Sequence, residues 1–476
     1  MRRIFALILL SFVAASSSLS AGVMTIEKFA SMKKCADPRI SPDGTRVLFT
    51  VTVPDPEGNG NSTHIWIAPI GGGAAQQFTD CKGADLHPRW SPDGRSIAFV
   101  STRGGSSQIW IIPADGGEAR RLTSISTGAH DPVWSPDGKS IAFYSFVDPD
   151  CPDDDCNSEK MKEREDDPVR ARVIDHLLYR HWDTWKEGGR NHLFIADVET
   201  GKTRDLTAGR DGDFPTYPWG GSGEYCFSPD GTQICCVSKD PENEAVSTNT
   251  DLYLIELGDG KISRLTSSEA ADESPAFSPD GKFISYRAQS VPGFEADRWR
   301  LMLMDRKTGE TKEATAGFDR WVKDYTWSPD SRKIFLAAGD DGHNALFSLA
   351  PSGGKMKKLV AKSNNGSIRV SPDGKTIVFE RKSFDYPGSI WKMSSDGKGL
   401  GRLFDFNAAI YQDLEINTAE EIRYTGAEGA SIQAFLIKPP KFDPGRKYPA
   451  IVIAHGGTQS AFVDSWYTNW TAQTFA

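Results

Sequence analysis

One short sequence, Ser-Pro-Asp-Gly, recurs along the chain and restricts it to a repeat fold. Seven copies begin at Ser41, Ser91, Ser135, Ser228, Ser278, Ser328 and Ser371, and the sixth ends in serine instead of glycine. Proline presets φ for a turn, aspartate bonds to nearby backbone, and glycine accepts a positive φ. Because an apolar, alternating run follows each copy, the motif predicts a turn that leads into a strand.

A second element follows every copy, as at 64–79 and 108–123. It reads as an aromatic or aliphatic strand, a glycine-containing turn in most copies, and a return strand, which is typical of a hairpin. Four short strands per unit, at a spacing of mostly 43 to 50 residues, describe a β-propeller blade. The sequence therefore predicts an all-β, seven-bladed propeller of TolB- or WD40-like repeats over 36–405, and the motifs themselves are assigned no chemistry.

The third unit is longer than the others, because 93 residues separate Ser135 from Ser228. The complete second element at 192–207 indicates one blade with an insertion at about 146–191, which must project from the ring. Apolar residues at spacings near three and four predict a helix in the middle of this insertion: Val169, Val173, Ile174, Leu177 and Leu178. Long insertions tend to be functional, although a solvated charged helix remains the alternative.

Residues 1–21 have the form of a secretory signal peptide. Two arginines precede a twelve-residue apolar run at 4–15, and small residues follow it, with cleavage predicted after Ser20 or Ala21. An uncleaved anchor is the alternative, but no second apolar run reaches membrane length. We therefore expect a periplasmic protein with no stable membrane span after cleavage, beginning with a helical segment at 22–35.

The cysteines and the net charge of the chain restrict which metals and macromolecules it can bind. An exported protein meets an oxidising compartment, so Cys151 and Cys156 can pair across a short loop. No Cys-x-x-Cys pair occurs and the acidic run around these cysteines lacks the EF-hand spacing, so no metal site is predicted. The net charge of −9 argues against nucleic acid, whose phosphates require a basic surface.

The repeat stops after Phe404, and 409–476 follows a different pattern. Residues 420–438 predict two strands around a turn, and Tyr448–Ala454 predicts an apolar strand buried on both faces. His455, Gly456 and Gly457 come at the carboxyl end of that strand. There, glycine N–H groups can approach an anionic oxygen, so the triplet predicts an oxyanion loop at the start of an α/β-hydrolase domain. The sequence 466–476 predicts the helix that follows it.

A leader, a seven-unit propeller and then strands leading to His-Gly-Gly resemble the prolyl oligopeptidase family of serine peptidases. The stretches 167–185 and 455–476 are most similar to the branch of dipeptidyl peptidase V and acylaminoacyl-peptidase. Thr458 departs from the family, which usually has proline there. The resemblance implies peptide substrates, no cofactor, and a propeller that restricts access to short peptides.

The same resemblance implies a serine exopeptidase that releases dipeptides or N-acyl amino acids from peptide N-termini. Its triad would follow the oxyanion loop in the order Ser, Asp, His, and no Gly-x-Ser-x-Gly elbow occurs in this chain. We therefore expect the triad beyond residue 476 and no turnover by the 476 residues alone. By analogy with related dipeptidyl peptidases, Glu163 and Glu165 are candidates for holding the substrate's ammonium. The alternative is a non-catalytic, TolB-like binding protein.

Overall fold

Short antiparallel strands are the main secondary structure of the described chain. The structure is a computed structural model, and it describes residues 22–476 except 56, 176, 219, 455, 457–460 and 470. The predicted signal peptide lies outside the described residues. A short helix, α1 (Ile26–Ala30), capped by Thr25, precedes the first strand.

Seven four-stranded units follow, here numbered sheet 1 to sheet 7. Sheet 1 contains β1 (Lys34–Ile40), β2 (Arg46–Asp55), β3 (Gly60–Pro69) and β4 (Gln76–Gln77). Sheet 2 contains β5 (Asp85–Trp90), β6 (Ser96–Ser101), β7 (Gln108–Pro113) and β8 (Arg120–Arg121). Sheet 3 is formed by β9 (His130–Trp134), β10 (Ser140–Val147), β13 (Arg190–Asp197) and β14 (Thr203–Asp205). Its insertion holds α2 (Asp154–Asp166), β11 (Arg180–His181) and β12 (Thr184–Trp185).

The remaining sheets repeat the pattern. Sheet 4 contains β15 (Tyr225–Phe227), β16 (Gln233–Ser238), β17 (Asp251–Glu256) and β18 (Ile262–Arg264). Sheet 5 contains β19 (Asp272–Phe277), β20 (Phe283–Ala288), β21 (Arg300–Asp305) and β22 (Thr311–Glu313). Sheet 6 contains β23 (Val322–Trp327), β24 (Ile334–Asp340), β25 (His343–Leu349) and β26 (Lys357–Val360). Sheet 7 contains β27 (Asn364–Val370), β28 (Thr376–Ser383), β29 (Tyr386–Ser394) and β30 (Gly401–Arg402), and a single parallel bridge joins it to sheet 6.

The Ser-Pro-Asp-Gly turns share one hydrogen-bond pattern. In the second copy, the Ser91 hydroxyl donates to Asp93 at 2.6 Å and accepts the N–H of Ser96 at 2.9 Å. The Asp93 carboxylate also accepts the N–H of Arg95 at 3.0 Å. Ser331, which replaces glycine in the sixth copy, adopts a φ of 58°, so the turn keeps its left-handed position. These bonds give the motif a structural role.

Seven apolar clusters hold the sheets to one another. Six lie between consecutive sheets in chain order. The seventh joins sheet 1 to sheet 7 through Phe49, Val378 and Ile390, so the sheets close into a ring. Within the described residues, no strand is exchanged across this seam, and side-chain packing closes it.

The insertion of sheet 3 corrects one prediction. Helix α2 lies earlier than expected, over Asp154–Asp166, and Asp153 caps it. The apolar residues at 169–178 that predicted the helix are non-helical where described, and Val173 is fully exposed. Pro168 ends α2, because proline disfavours a helical conformation in the residue before it. Beyond it, Val169, Val173, Ile174 and Leu177 are exposed, so no buried apolar face stabilises a second helix. A capped run of charged helix formers therefore outweighed the apolar spacing.

The C-terminal segment differs from its prediction in two places. The predicted hairpin forms as β31 (Glu420–Thr425) and β32 (Ser431–Leu436), after α3 (Ala408–Gln412). Tyr448–Ala454 is not a strand, and Val452 is 90% exposed. An apolar strand of this kind needs neighbours on both edges, and none of the described strands lies beside it. Only α4 (Ala472–Phe475) represents the predicted terminal helix.

Candidate functional site

The two faces of the ring carry different connections. The Ser-Pro-Asp-Gly turns and the turns between third and fourth strands lie at one face, because strand direction alternates. The connections between second and third strands lie at the other, here called the loop face. The insertion at 148–189 joins β10 to β13, so it belongs to the loop face of sheet 3.

The C-terminal segment packs on the same loop face, over sheets 6 and 7. Arg423 pairs with Asp341 at 2.5 Å, and the Asp464 N–H donates to the carbonyl of Gly342 at 2.8 Å. Gly342 has a φ of 78°, and a Cβ there would lie 2.7 Å from the ring of Phe435. Sheet 3 lies three sheets away from both sheet 6 and sheet 7. The insertion and the C-terminal segment therefore face each other across the ring.

His343 is the buried centre of this contact. The N–H of Ser363 donates to Nδ1 at 3.0 Å, and Nε2 lies 2.9 Å from a Glu421 carboxylate oxygen. Because Nδ1 accepts, Nε2 carries the proton and donates to Glu421. Both ring nitrogens are engaged, so His343 has none left to activate a hydroxyl. Its role is to hold the hairpin β31–β32 to the ring.

A cavity of about 670 Å³ lies beside His343, between sheet 7 and the C-terminal segment. Its lining combines stacked aromatic rings with guanidinium groups: Arg381 lies 4.7 Å from the ring centre of Trp391, and Arg402 lies 3.6 Å from that of Tyr386. Asp405 accepts hydrogen bonds from both Tyr386 and Arg402. Such walls suit a ligand with both apolar and polar groups.

Arg381 is one of two guanidinium groups that line this cavity. Its buried Nη1 has no hydrogen-bond partner among the described residues. Burial lowers the pKa of its guanidinium, while the carboxylates of Asp464 and Asp385 act in the opposite direction. An unpaired N–H in a half-enclosed cavity can bind a carbonyl or carboxylate oxygen.

The axis of the ring forms a second polar site. First strands of neighbouring sheets contact one another there, and most carry a β-bulge. Non-glycine residues at or beside five of these bulges have positive φ: Asp37, His87, Asp131, Ser274 and Ser367. The bulges re-aim the charged side chains next to them.

Three guanidinium groups, those of Arg39, Arg89 and Arg369, meet at this axis beside the carboxylates of Asp37 and Asp324. Asp37 pairs with Arg39 at 2.6 Å and with Arg89 at 2.7 Å. Burial alone would raise the pKa of Asp37, but these arginines, together with Arg369, hold it well below its usual range. Among the described residues, Nε of Arg39 and Nε of Arg369 have no hydrogen-bond partner. The axis therefore concentrates positive charge contributed by sheets 1, 2 and 7.

The sequence contained a signal for the axis site that our prediction missed. Asp-Pro-Arg at 37–39 and His-Pro-Arg at 87–89 each stand just before a Ser-Pro-Asp-Gly turn. Both X-Pro-Arg triplets occupy the same position in the first strand of their units, and this repetition would have predicted that their charged side chains lie close together.

The predicted site residues are spread over the loop face. His455 and Gly457 lie outside the described residues, and Gly456 is exposed. Glu163 and Glu165 are both exposed on α2, two residues apart, so they point to different sides of the helix. Glu165 lines a groove of the insertion that Glu163 does not.

The two cysteines of the insertion are also brought together. A disulfide bond joins Cys151 to Cys156, with a Cα–Cα distance of 5.4 Å. The bond spans the cap of α2, because Asp153 accepts the N–H of Cys156. The disulfide therefore fixes the point at which the helix leaves the ring.

Comparisons with known proteins agree with this architecture. The TolB β-propeller domain family matches residues 17–151 and 184–414. The dipeptidyl-peptidase 5 of Porphyromonas gingivalis is 29% identical over 100% of this chain and 70% of its own length. That of Porphyromonas endodontalis is 28% identical, over 95% of this chain and 65% of its own length. This chain thus spans about two thirds of these relatives.

Solved structures show the same fold. An acylaminoacyl peptidase in complex with Z-Gly-Gly-Phe-chloromethyl ketone matches with a TM-score of 0.72 and 17% identity, over 93% of this chain and 64% of its own. None of the helices in the described part of the chain is long and apolar enough to cross a membrane. The predicted β-propeller is confirmed, and the chain belongs to the family of TolB β-propeller domains, in the form carried by peptidases of the prolyl oligopeptidase family.

Proposed function

We propose that this chain is the propeller and the first part of the catalytic domain of a serine exopeptidase. The enzyme would release dipeptides or N-acyl amino acids from the N-terminus of short peptides. One observation carries the proposal: the C-terminal segment and the insertion face each other on one side of the ring. The end-to-end similarity to a dipeptidyl-peptidase 5 supports the same assignment.

In this proposal each part has a distinct task. The seven sheets over 36–405 are the blades of a closed propeller that admits peptides only through its axis or its loop face. Residues 409–476 begin an α/β-hydrolase domain, and His455–Gly457 supplies the oxyanion loop. The Ser, Asp and His of the triad are supplied by residues outside these 476. A peptide carbonyl or carboxylate that enters along the axis meets the guanidinium groups of Arg39 and Arg369.

The test compares two proteins on dipeptidyl and acyl-aminoacyl chromogenic substrates. The 476-residue chain should give no turnover above buffer, whereas the product of the coding sequence read beyond codon 476 should hydrolyse at least one substrate class. Turnover by the 476 residues would refute the assignment of the triad. An inactive longer product that binds a protein partner would favour the TolB-like alternative.

We further propose that Glu165, rather than Glu163, holds the substrate's ammonium in a dipeptidyl reaction. Glu165 lines the groove of the insertion, and a carboxylate there can form charge-assisted hydrogen bonds. Glu165→Gln in the active longer protein should raise KM for dipeptidyl substrates about tenfold or more, since one charged hydrogen bond contributes about 1.5–3 kcal/mol. Glu163→Gln is the matched control, and an equal effect of both variants would contradict the assignment.

Export is part of the same proposal. The leader at 1–21 would direct the chain across the inner membrane to the periplasm, where Cys151 and Cys156 can oxidise. N-terminal sequencing of the periplasmic protein should begin at Ala21 or Gly22. Recovery of the chain with Met1 in the membrane fraction would favour the uncleaved anchor.

A further inference from the structure

A histidine, a cysteine and an aspartate meet where sheet 1 joins sheet 2. His64 is in β3, Cys81 is in the connection between β4 and β5, and Asp85 begins β5. His64 and Asp85 are buried, and Cys81 is half-buried. Nδ1 of His64 and Sγ of Cys81 each lie 3.5 Å from the same oxygen, Oδ2 of Asp85.

The distance from Nδ1 of His64 to Oδ2 is long for an N–H···O hydrogen bond, the distance from Sγ of Cys81 is ordinary for a hydrogen bond from sulfur, and both match the edges of a metal tetrahedron. Zinc lies about 2.0–2.1 Å from imidazole nitrogen, about 2.3 Å from thiolate and about 2.0 Å from carboxylate oxygen. A tetrahedral angle then places N and O about 3.3 Å apart and S and O about 3.5 Å apart. The three ligand atoms all lie within 4.8 Å of one another. A small movement of Cys81, which lies on a connection between sheets, brings its sulfur within about 3.6 Å of Nδ1.

The surroundings of the three groups orient them toward a common point. Nε2 of His64 lies 2.7 Å from the Ser62 hydroxyl, which can accept its proton and leave the Nδ1 lone pair for a metal. Arg103 donates to the other oxygen of Asp85, Oδ1, at 3.0 Å, so Oδ2 faces the cysteine and the histidine. Arg103 in turn packs over the ring of Trp110, 4.9 Å from its centre. This second layer of contacts is typical of zinc ligands.

We propose that His64, Cys81 and Asp85 bind one divalent cation of borderline softness, Zn²⁺ being the natural choice for this ligand set. The thiol releases its proton on binding, and the thiolate and Asp85 offset the charge of the cation. A fourth position remains for water on the half-exposed side of Cys81. Since the ligands come from both sheets and their connection, the cation clamps sheet 1 to sheet 2. This role is independent of the peptidase assignment.

Cobalt provides a direct test on the intact chain, kept reduced by a phosphine. Co²⁺ added to the purified protein should produce a thiolate-to-cobalt charge-transfer band that saturates at one ion per chain, and Zn²⁺ should displace it. Cys81→Ser should abolish the band and weaken Zn²⁺ binding about 100-fold or more, given that losing even a supporting contact costs 10–100-fold. Cys226→Ser is the matched control, because Cys226 is also half-buried and outside any disulfide; it should leave both signals unchanged.

A second measurement keeps the proposal testable if Cys81→Ser does not fold. In the unaltered chain, Zn²⁺ should slow alkylation of Cys81 at least tenfold, as read by mass spectrometry of its peptide, and a chelator should restore the rate. A Co²⁺ spectrum without a thiolate band, an unchanged alkylation rate, or equal affinity of Cys81→Ser and wild type would overturn the proposal. Each of these results would leave the three groups as a hydrogen-bonded junction without metal.

Discussion

Replacing Phe49 by alanine should open the ring at one place, the seam between sheets 1 and 7. Phe49 is fully buried in the seam cluster, and its ring stacks on Phe404 at 4.3 Å and approaches Phe406 at 6.2 Å. Removing a buried phenylalanine costs about 3–5 kcal/mol, and each aromatic pair adds about 0.5–1.5 kcal/mol. We therefore expect Phe49→Ala to destabilise the seam by about 4–8 kcal/mol.

The seam should respond differently from the other six interfaces because its two sheets are not consecutive in the chain. When it opens, the first and last sheets gain freedom that a short connection denies to any other pair of neighbours. Phe99, fully buried between sheets 1 and 2, is the matched control. Phe99→Ala loses a similar apolar area, but the connection at 78–84 keeps the two sheets together.

Hydrogen exchange separates these outcomes. At about 1.4 kcal/mol per tenfold, a loss of about 4 kcal/mol lowers amide protection about a thousandfold. In Phe49→Ala this loss should appear in β2 and β28, while the amides of sheets 3 to 5 keep their protection. The milder Phe49→Leu, at about 1–2 kcal/mol, serves if the alanine variant does not fold. Equal loss of protection in all seven sheets, or the same pattern in Phe99→Ala, would refute the argument.

Three further predictions concern pH, the C-terminal hairpin and the insertion. Burial raises the pKa of Glu224 and of Asp272 to about 7, above the values of the unfolded chain. The free energy of unfolding should therefore rise as the pH falls from 8 to 5. The double variant Glu224→Gln with Asp272→Asn should flatten this pH dependence, as measured by urea titrations. Below pH 4 the trend should reverse, because a hydrogen bond from Ser228 lowers the pKa of Asp230 to about 2 and that stabilisation is lost as the carboxylate protonates. Asp230→Asn should reduce the loss of stability below pH 4. An unchanged dependence of stability on pH in this variant would contradict the prediction. Gly342→Ala should displace Phe435 and speed proteolysis within 420–436 by about tenfold, as measured by timed digestion. Calorimetry should show that the melting temperature of the ring falls by no more than about 2 °C. Cys151→Ser should lower the local stability of α2 by about 2 kcal/mol, the entropy of closing so short a loop, and unchanged amide exchange in α2 would contradict this.

Local chemistry explains why the repeat was predictable and the insertion was not. A Ser-Pro-Asp-Gly turn satisfies its own hydrogen bonds within six residues, so its structure follows from its sequence alone. The bounds of helix α2 are set by the cap at Asp153 and by Pro168, and neither is indicated by the apolar spacing of 169–178. Helical spacing of apolar residues stabilises a helix only where the apolar face packs against another element, and Val173 is exposed.

The polar clusters that prediction missed depend on the packing of neighbouring sheets. Asp37 and Arg89 are 52 residues apart, and His64 and Asp85 are 21 apart; each pair becomes adjacent only because neighbouring sheets pack side by side. No local pattern marks such pairs unless the same register position is compared across all seven units.

The ring also accounts for why these charges can be buried at its axis. A bulge costs a strand one regular pairing, and a non-glycine residue at positive φ adds about 1 kcal/mol or more. An isolated sheet would gain nothing from such a distortion. In a closed ring, however, the bulges direct Arg39, Arg89 and Asp37 to one point, where ion pairs as short as 2.6 Å offset their desolvation. Among the described residues, Nε of Arg39 and Nε of Arg369 have no hydrogen-bond partner, so their desolvation is offset by ion pairing alone. A charge cluster of this kind needs strands from several sheets, and a single blade could not form it.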